Sequence, residues 1–210
     1  MKEYTTVKGE TVHEIVIEKS RFIASVKGVE SVEEATEFVN SKRKKFFDAT
    51  HNCYAYIVDD KIKYSDDGEP QGTAGMPILE CIKNNALNRV CVVVTRYFGG
   101  IKLGAGGLVR AYNGSCAEAL KLCERVQMTD CTRLSVLVDY SQLKPLRRAL
   151  SAFAREENAV YSDKVELVLL FPSVLSTTIT DIVTENTFGK AQFGNTERLL
   201  CHFPPLSQNK

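Results

Sequence analysis

Long apolar runs are what this 210-residue sequence most plainly lacks. A helix that spans a membrane needs about 20 consecutive apolar residues, and no stretch here comes near that length. The opening MKEYTTVKGE also has no apolar core of the kind a secretory leader carries. The expectation is a cytoplasmic protein with no membrane partner. A surplus of one charge is missing too: 27 Lys and Arg stand against 26 Asp and Glu. Such a chain has no global field to draw in nucleic acid, so a polyanion must be held by a local patch. Metal-type cysteine spacings are absent, with neither Cys-x-x-Cys nor Cys-x-x-His among the seven cysteines. An odd count without such pairs fits reduced thiols rather than a zinc site or a disulfide framework. Cys81, Cys91, Cys116 and Cys123 sit among apolar neighbours, as small core residues do.

Catalytic signatures are missing as well. There is no Gly-x-Ser-x-Gly elbow, no HExxH and no Ser-x-x-Lys pair with its supporting motifs. His51 and Cys53 could form a nucleophilic pair only if the imidazole reached the thiol. Two residues apart on a strand, their side chains project in parallel roughly 6–7 Å apart, too far for direct proton transfer. No catalytic residue, cofactor or metal ligand set is assigned.

What the chain does have is 44% hydrophobic residues, enough for packed cores, and a glycine-rich stretch from Val90 to Arg125. Val90–Val94 is an apolar β-branched run suited to a central strand. Leu108, Tyr112, Cys116, Ala119 and Cys123 recur at helical spacing up to about Arg125. Gly99 to Gly107 is read as the loop between them. Glycines there permit positive φ and leave N–H groups uncovered where a helix begins, and the helix dipole adds to their attraction for anions. The loop is not a P-loop, and Val109 stands where the third glycine of G-x-G-x-x-G belongs. Arg96, Tyr97, Lys102 and Arg110 surround it with cations and an aromatic ring suited to phosphate. The competing reading is a tight connection in which the glycines only allow close packing.

A second glycine-rich segment runs from Ser65 to Gly75, with Asp66, Asp67, Glu69 and Thr73 among its polar residues. Its carboxylates could hold a hard cation such as magnesium, but Asp and Gly are also what turns require. Thr73 is a candidate cap for the next helix. Were this segment to fold beside Gly104–Gly107, the two would form one phosphate site. The basic run Lys42-Arg43-Lys44-Lys45 closes a predicted helix that Ser31 and Glu34 open as a capping box. It suits a helix C-terminus, with RNA or ribosome contact as the alternative.

The order of elements is α+β throughout. Strands are expected over 12–26 with a break near Lys19-Ser20, a helix over 31–46, a strand over 52–58 and a weaker helix over 76–84. Beyond Cys131 come a strand over 132–140 and a helix capped by Ser141, carrying Leu143, Leu146, Leu150 and Phe153. Strands over 158–162 and 165–171, a helix opened by Pro172-Ser173 and a strand over 190–203 complete the chain. That order, βαββαβ, is the ferredoxin-like arrangement.

Arg96-Tyr97-Phe98-Gly99-Gly100, Leu103-Gly104-x-Gly106-Gly107-Leu108-Val109 and Ser65-Asp66-Asp67-Gly68-Glu69-Pro70 resemble the two signatures of the IMPACT/YigZ family. Ser20-Arg21-Phe22-Ile23 and His51-Asn52-Cys53-Tyr54-Ala55 extend the similarity over most of residues 1–130. The resemblance implies an N-terminal domain over 1–130 with a ribosomal protein S5 domain 2-like fold. It also implies a ferredoxin-like domain over 131–210, similar to domain V of elongation factor G. That pairing suggests translation. Eukaryotic relatives restrain a stress kinase by binding its activator but carry an additional N-terminal domain; this chain begins at the shared domain, so that partner is not carried over.

The reading that results is a non-catalytic translation-associated or regulatory protein that binds RNA or the ribosome at the glycine loop. Arg96, Lys102 and Arg110 would meet phosphates and Tyr97 would stack on a base. Gly99, Gly100, Gly104, Gly106 and Gly107 would let the backbone approach. An enzyme acting on a phosphorylated small molecule with magnesium is the runner-up. It is weakened because the S5-like small-molecule kinases have a serine pair where this chain has Gly104-Ala105-Gly106-Gly107. The third reading is a protein-interaction module with a regulatory partner.

Overall fold

The computed structural model describes residues 2–203 and is mixed α+β, with two sheets built from antiparallel pairs and five α-helices among the described residues. The chain divides into two compact units, residues 4–126 and residues 127–210 together with 1–3. None of the described helices is long and apolar enough to cross a membrane.

In the first unit, β1 (Tyr4–Val7) precedes a hairpin of β2 (Glu10–Ile17) and β3 (Ser20–Gly28). Ile17 and Ser20 pair across a two-residue turn, with Glu18 and Lys19 at φ 46° and 63°. Positive φ at both central residues matches the right-handed twist of the strands it joins. Helix α1 (Val32–Lys45) begins at Ser31, whose hydroxyl accepts from Glu34 N at 3.2 Å, as the capping box requires. The reciprocal Glu34 contact falls one residue early, on Glu30 N at 2.8 Å. Strands β4 (His51–Val58) and β5 (Lys61–Ser65), helix α2 (Gly75–Asn84), β6 (Val90–Tyr97) and α3 (Gly104–Leu122) follow.

The sheet order is β2-β3-β6-β4-β5. Because side chains alternate across a strand, β6 serves two cores. Val90, Val92 and Val94 pack beneath α2 and α3, while Cys91 and Val93 pack against Ala35, Phe38 and Val39 of α1. Arg96 continues the first row, so a guanidinium is delivered to the end of an otherwise apolar face.

The second unit runs β7 (Arg125–Val138), α4 (Tyr140–Leu150), β8 (Arg155–Tyr161), β9 (Val165–Pro172), a 3₁₀ turn over Ser173–Leu175, α5 (Ser176–Asn186) and β10 (Gln192–His202). The expected βαββαβ order is therefore present. Strand β7 lies between β10 and β9, with β8 outside β9. Leu134, Val136, Val138, Leu167, Leu169 and Phe171 form a core with Leu146, Leu150, Ile179 and Val183 of the two helices.

Several expectations are corrected. Helix α3 starts at Gly104, so Gly104, Gly106 and Gly107 belong to its first turn rather than to a loop. Asp139, not Ser141, caps α4, because Gln142 sits at its third position and reaches back to Asp139 N at 3.1 Å. Helix α2 is capped neither by Thr73 nor by its own N-cap residue. Asp66 Oδ1 accepts from Ala74 N at 3.0 Å and Gly75 N at 2.8 Å, while the Thr73 hydroxyl donates to Pro70 O. The short edge strand β5, with its exposed lysines, is not among the expected elements; it pairs antiparallel with β4, from Ser65 opposite Tyr54 to Lys61 opposite Val58.

Candidate functional site

Three side chains on adjacent strands build the floor of a cleft. Register places Arg96 of β6 opposite His51 of β4 on one side and Phe22 of β3 on the other. The Arg96 guanidinium lies between two rings, 5.4 Å from the Phe22 centroid and 5.5 Å from that of Phe98. It donates through Nη1 to Glu69 Oε1 at 2.7 Å. Both side chains are deeply buried, at 6% and 3% exposure. In the dry interior such a pair persists only because further hydrogen bonds support it. The Tyr112 hydroxyl of α3 donates to the same Glu69 oxygen at 2.7 Å, and Arg96 Nη2 reaches Ser20 Oγ at 3.4 Å.

His51 completes the floor. Its Nδ1 lies 2.8 Å from the Asp67 carbonyl oxygen, which can only accept, so Nδ1 carries the proton. Nε2 then faces Glu69 Oε2 at 3.8 Å. Cys53, two residues along β4, is no partner for this imidazole. Its thiol donates to Asp66 O at 2.9 Å with Tyr112 Oη 3.4 Å away, and burial pushes it up to about 12 despite the contact with Tyr112. It is a core thiol, not a nucleophile.

Above this floor opens a cleft of about 470 Å³. Thr50, His51, Glu69, Pro70 and Arg96 line it from one side; Phe98, Lys102, Leu103, Gly104, Ala105 and Leu108 line it from the other. The two glycine-rich segments therefore meet. The first turn of α3 stands at the rim with Gly104, Ala105 and Gly106 exposed, and its N-cap, Leu103, offers no side-chain hydrogen bond. The N–H groups of an uncapped helix start are donors of the kind that can meet an anion, and Lys102 lines the same cleft.

The remaining expected site residues lie elsewhere. Tyr97 is on the opposite face of β6, donating to Asp48 Oδ1 at 2.8 Å beneath the Arg21 guanidinium. Arg110 lines a separate cleft of about 450 Å³ with Gly72, Met76, Pro77 and Glu80. Gly99 is a packing residue: its N–H donates to Ser20 Oγ at 3.1 Å, and a Cβ there would sit 2.0 Å from Lys19 C. Gly100 is exposed at φ +88°, where a side chain would be strained whatever the space. Gly107 could not take a Cβ without pressing on Leu103, 2.9 Å away.

The carboxylates of the second segment diverge. Asp66 holds the start of α2, with Gly72 N also bonded to it at 2.8 Å. Asp67 accepts from Arg43 at 2.6 Å and from Asn52 N at 2.7 Å. Glu69 faces Arg96. Ser65 Oγ accepts from Asp67 N at 3.2 Å. Among the described residues no three His, Cys, Asp or Glu side chains converge as a metal would require. Half of the basic run is also engaged, Arg43 at Asp67 and the buried Lys42 at Glu10.

Sequence reasoning missed the Arg96–Glu69 partnership. Part of the signal was present: an arginine that continues the alternating row Val90, Val92, Val94 shares its apolar face, and a guanidinium buried there needs a carboxylate, though the sequence does not say which.

Comparison with known proteins places the chain in a family. The Impact N-terminal domain model matches residues 18–120, which contain every cleft residue named above. Family member YvyE of Bacillus subtilis is 43% identical over 91% of this chain and 90% of its own length. Family member YigZ of Escherichia coli is 38% identical over 73% and 77%. A crystal structure of a hypothetical protein, 31% identical, covers 92% of this chain and 97% of that one with a TM-score of 0.62. The chain belongs to the IMPACT/YigZ family.

Proposed function

We propose that this is a non-catalytic, translation-associated protein that binds single-stranded RNA, or RNA on the ribosome, by taking one nucleotide unit into the Arg96–Glu69 cleft. The observation that carries the reading is the uncapped, exposed start of α3 beside Lys102, opening onto a cleft of nucleotide size. Helix N–H groups and Lys102 serve the phosphate, and the walls Phe98, Leu103 and Leu108 offer apolar surface to a base or sugar. Arg96 supports the floor from within, since its charge is already matched by Glu69.

Fold analogy supplies the translation context. The strand order β10-β7-β9-β8 and the βαββαβ sequence support a ferredoxin-like domain over 131–210. For residues 1–130 we infer the S5 domain 2-like class from the resemblance to the IMPACT/YigZ family, which implies this pairing, one also found in elongation factor G. Diverging carboxylates favour this reading over magnesium-dependent chemistry on a phosphorylated metabolite.

The test is fluorescence anisotropy of a labelled single-stranded RNA at several salt concentrations, with the Lys102→Ala and Ala105→Asp variants. A carboxylate in the first turn of α3 should repel phosphate and weaken binding about tenfold or more, with Lys102→Ala losing less. Salt-independent binding, unchanged in both variants, would sink the phosphate model. Capture of a protein partner that survives ribonuclease, with both variants still binding it, would favour the interaction module.

A further inference from the structure

Two of the seven cysteines face each other across neighbouring strands of the second unit. Cys131 lies on β7 opposite Leu199 of β10, and Cys201, two residues along β10, lies opposite Thr129. Residues i and i+2 on a strand share a face, so the two side chains leave the sheet on the same side as diagonal neighbours. Twist brings one diagonal of an antiparallel pair together, and here the sulfurs are 2.8 Å apart.

We propose that Cys131 and Cys201 are a modification site: the pair that a small-molecule disulfide oxidises to an intramolecular disulfide joining β7 to β10. Access distinguishes this pair from the other thiols, among which Cys81 and Cys116 are also hydrogen-bonded to each other. Cys53, Cys81, Cys91 and Cys116 are enclosed within the first unit, and Cys123, although half-buried, is bonded to the Ala119 carbonyl. Cys201 is half-buried on a strand whose residues from Gln192 to Arg198 are exposed, so a reagent can reach it, while Cys131 behind it is fully buried.

The order of steps follows. Cys131 is fully buried and Cys201 only half-buried, so Cys201 attacks first; burial, with the hydrogen bond to Cys201, also pushes the Cys131 thiol up. Its thiolate, having given its proton to solvent, displaces one thiolate from the oxidant's S–S bond and forms a mixed disulfide. Cys131 then loses its proton and attacks the Cys201 sulfur, expelling the second small thiolate. Both released thiolates take up protons; the protein loses two hydrogens and the oxidant is reduced to two thiols.

The full chain treated with oxidised glutathione should show its thiol titre in denaturant falling from seven to five. Non-reducing peptide mapping should join the Cys131 and Cys201 peptides, and dithiothreitol should reverse both changes. The Cys201→Ser variant, at a half-exposed position, should keep the native circular dichroism spectrum and form no cross-link. A titre that stays at seven would overturn the proposal. So would a stable glutathione adduct on Cys201 with Cys131 still alkylated, or a cross-link joining any other pair.

Discussion

Glu69 is the residue on which the cleft depends, because a single carboxylate oxygen ties together a strand, a loop and a helix. Removing it leaves the Arg96 guanidinium buried and uncompensated, whereas removing both charges leaves a hole that apolar groups can fill. Glu69→Ala should lower stability in urea by about 3–5 kcal/mol, while Arg96→Met combined with Glu69→Leu should recover most of that loss. A Glu69→Ala cost below about 1 kcal/mol would mean the pair is hydrated rather than dry. This partnership also marks how far the sequence could be read. The strand, the helix and the glycines between them were legible because valine alternation and helical spacing are local. The pairing of residues 27 positions apart was not, because it depends on where the turn after β5 directs its carboxylates. Tyr97 is a miss of another kind: adjacent to Arg96 in sequence, it lies on the other face of the sheet by the same local period of two.

At the level of elements, the glycines divide by what their missing Cβ makes possible. Gly99 lies against the backbone of the β2–β3 turn, so Gly99→Ala should cost about 1–3 kcal/mol through forced displacement. Gly106 is different: it is helical, and the nearest group to a Cβ is Arg110 Nη1 at 3.6 Å. Gly106→Ala should therefore stabilise the chain by roughly 0.5–1 kcal/mol in thermal or urea unfolding. If the α3 start receives phosphate, the same substitution should weaken RNA binding, and stability and affinity will move in opposite directions. Strand β10 offers a pH-dependent case. Asp130 on β7 is held by Arg198 on β10, and hydrogen bonding, from Arg198 first and from Ser173 as well, lowers the carboxyl from its ordinary 3.8 to about 2. A lowered pKa in the folded state adds stability that is complete above about pH 4 and is lost as the pH falls through about 2. The urea midpoint of the second unit should fall over that window, and less steeply in Asp130→Asn. Elements legible in sequence were those with a cap or a strong period; β1, β5 and the first part of β7 were not, because β1 is only four residues, and β5, although it alternates as Lys-Ile-Lys-Tyr-Ser, is only five residues and exposed, so its pairing is set by the sheet.

For the whole molecule, near-neutral charge sets the character of any nucleic-acid binding. With 27 basic against 26 acidic residues, half of the basic run committed to Glu10 and Asp67, and Arg96 paired with Glu69, the cleft offers a phosphate the cation of Lys102. Each phosphate neutralised on a single strand contributes about −0.7 to the slope of log affinity against log salt, so a cleft offering Lys102 and one helix terminus should give a slope near −1. A slope steeper than about −4 would place binding on a broad basic surface instead.

Phe98, whose ring covers Arg96 at the mouth of the cleft, is 47% exposed and lines the space a ligand would enter. The chain contains no tryptophan. A Phe98→Trp variant would thus carry one indole against a dark background, positioned where occupancy changes its solvation, and titrating it would read out the cleft directly from the unlabelled ligand side.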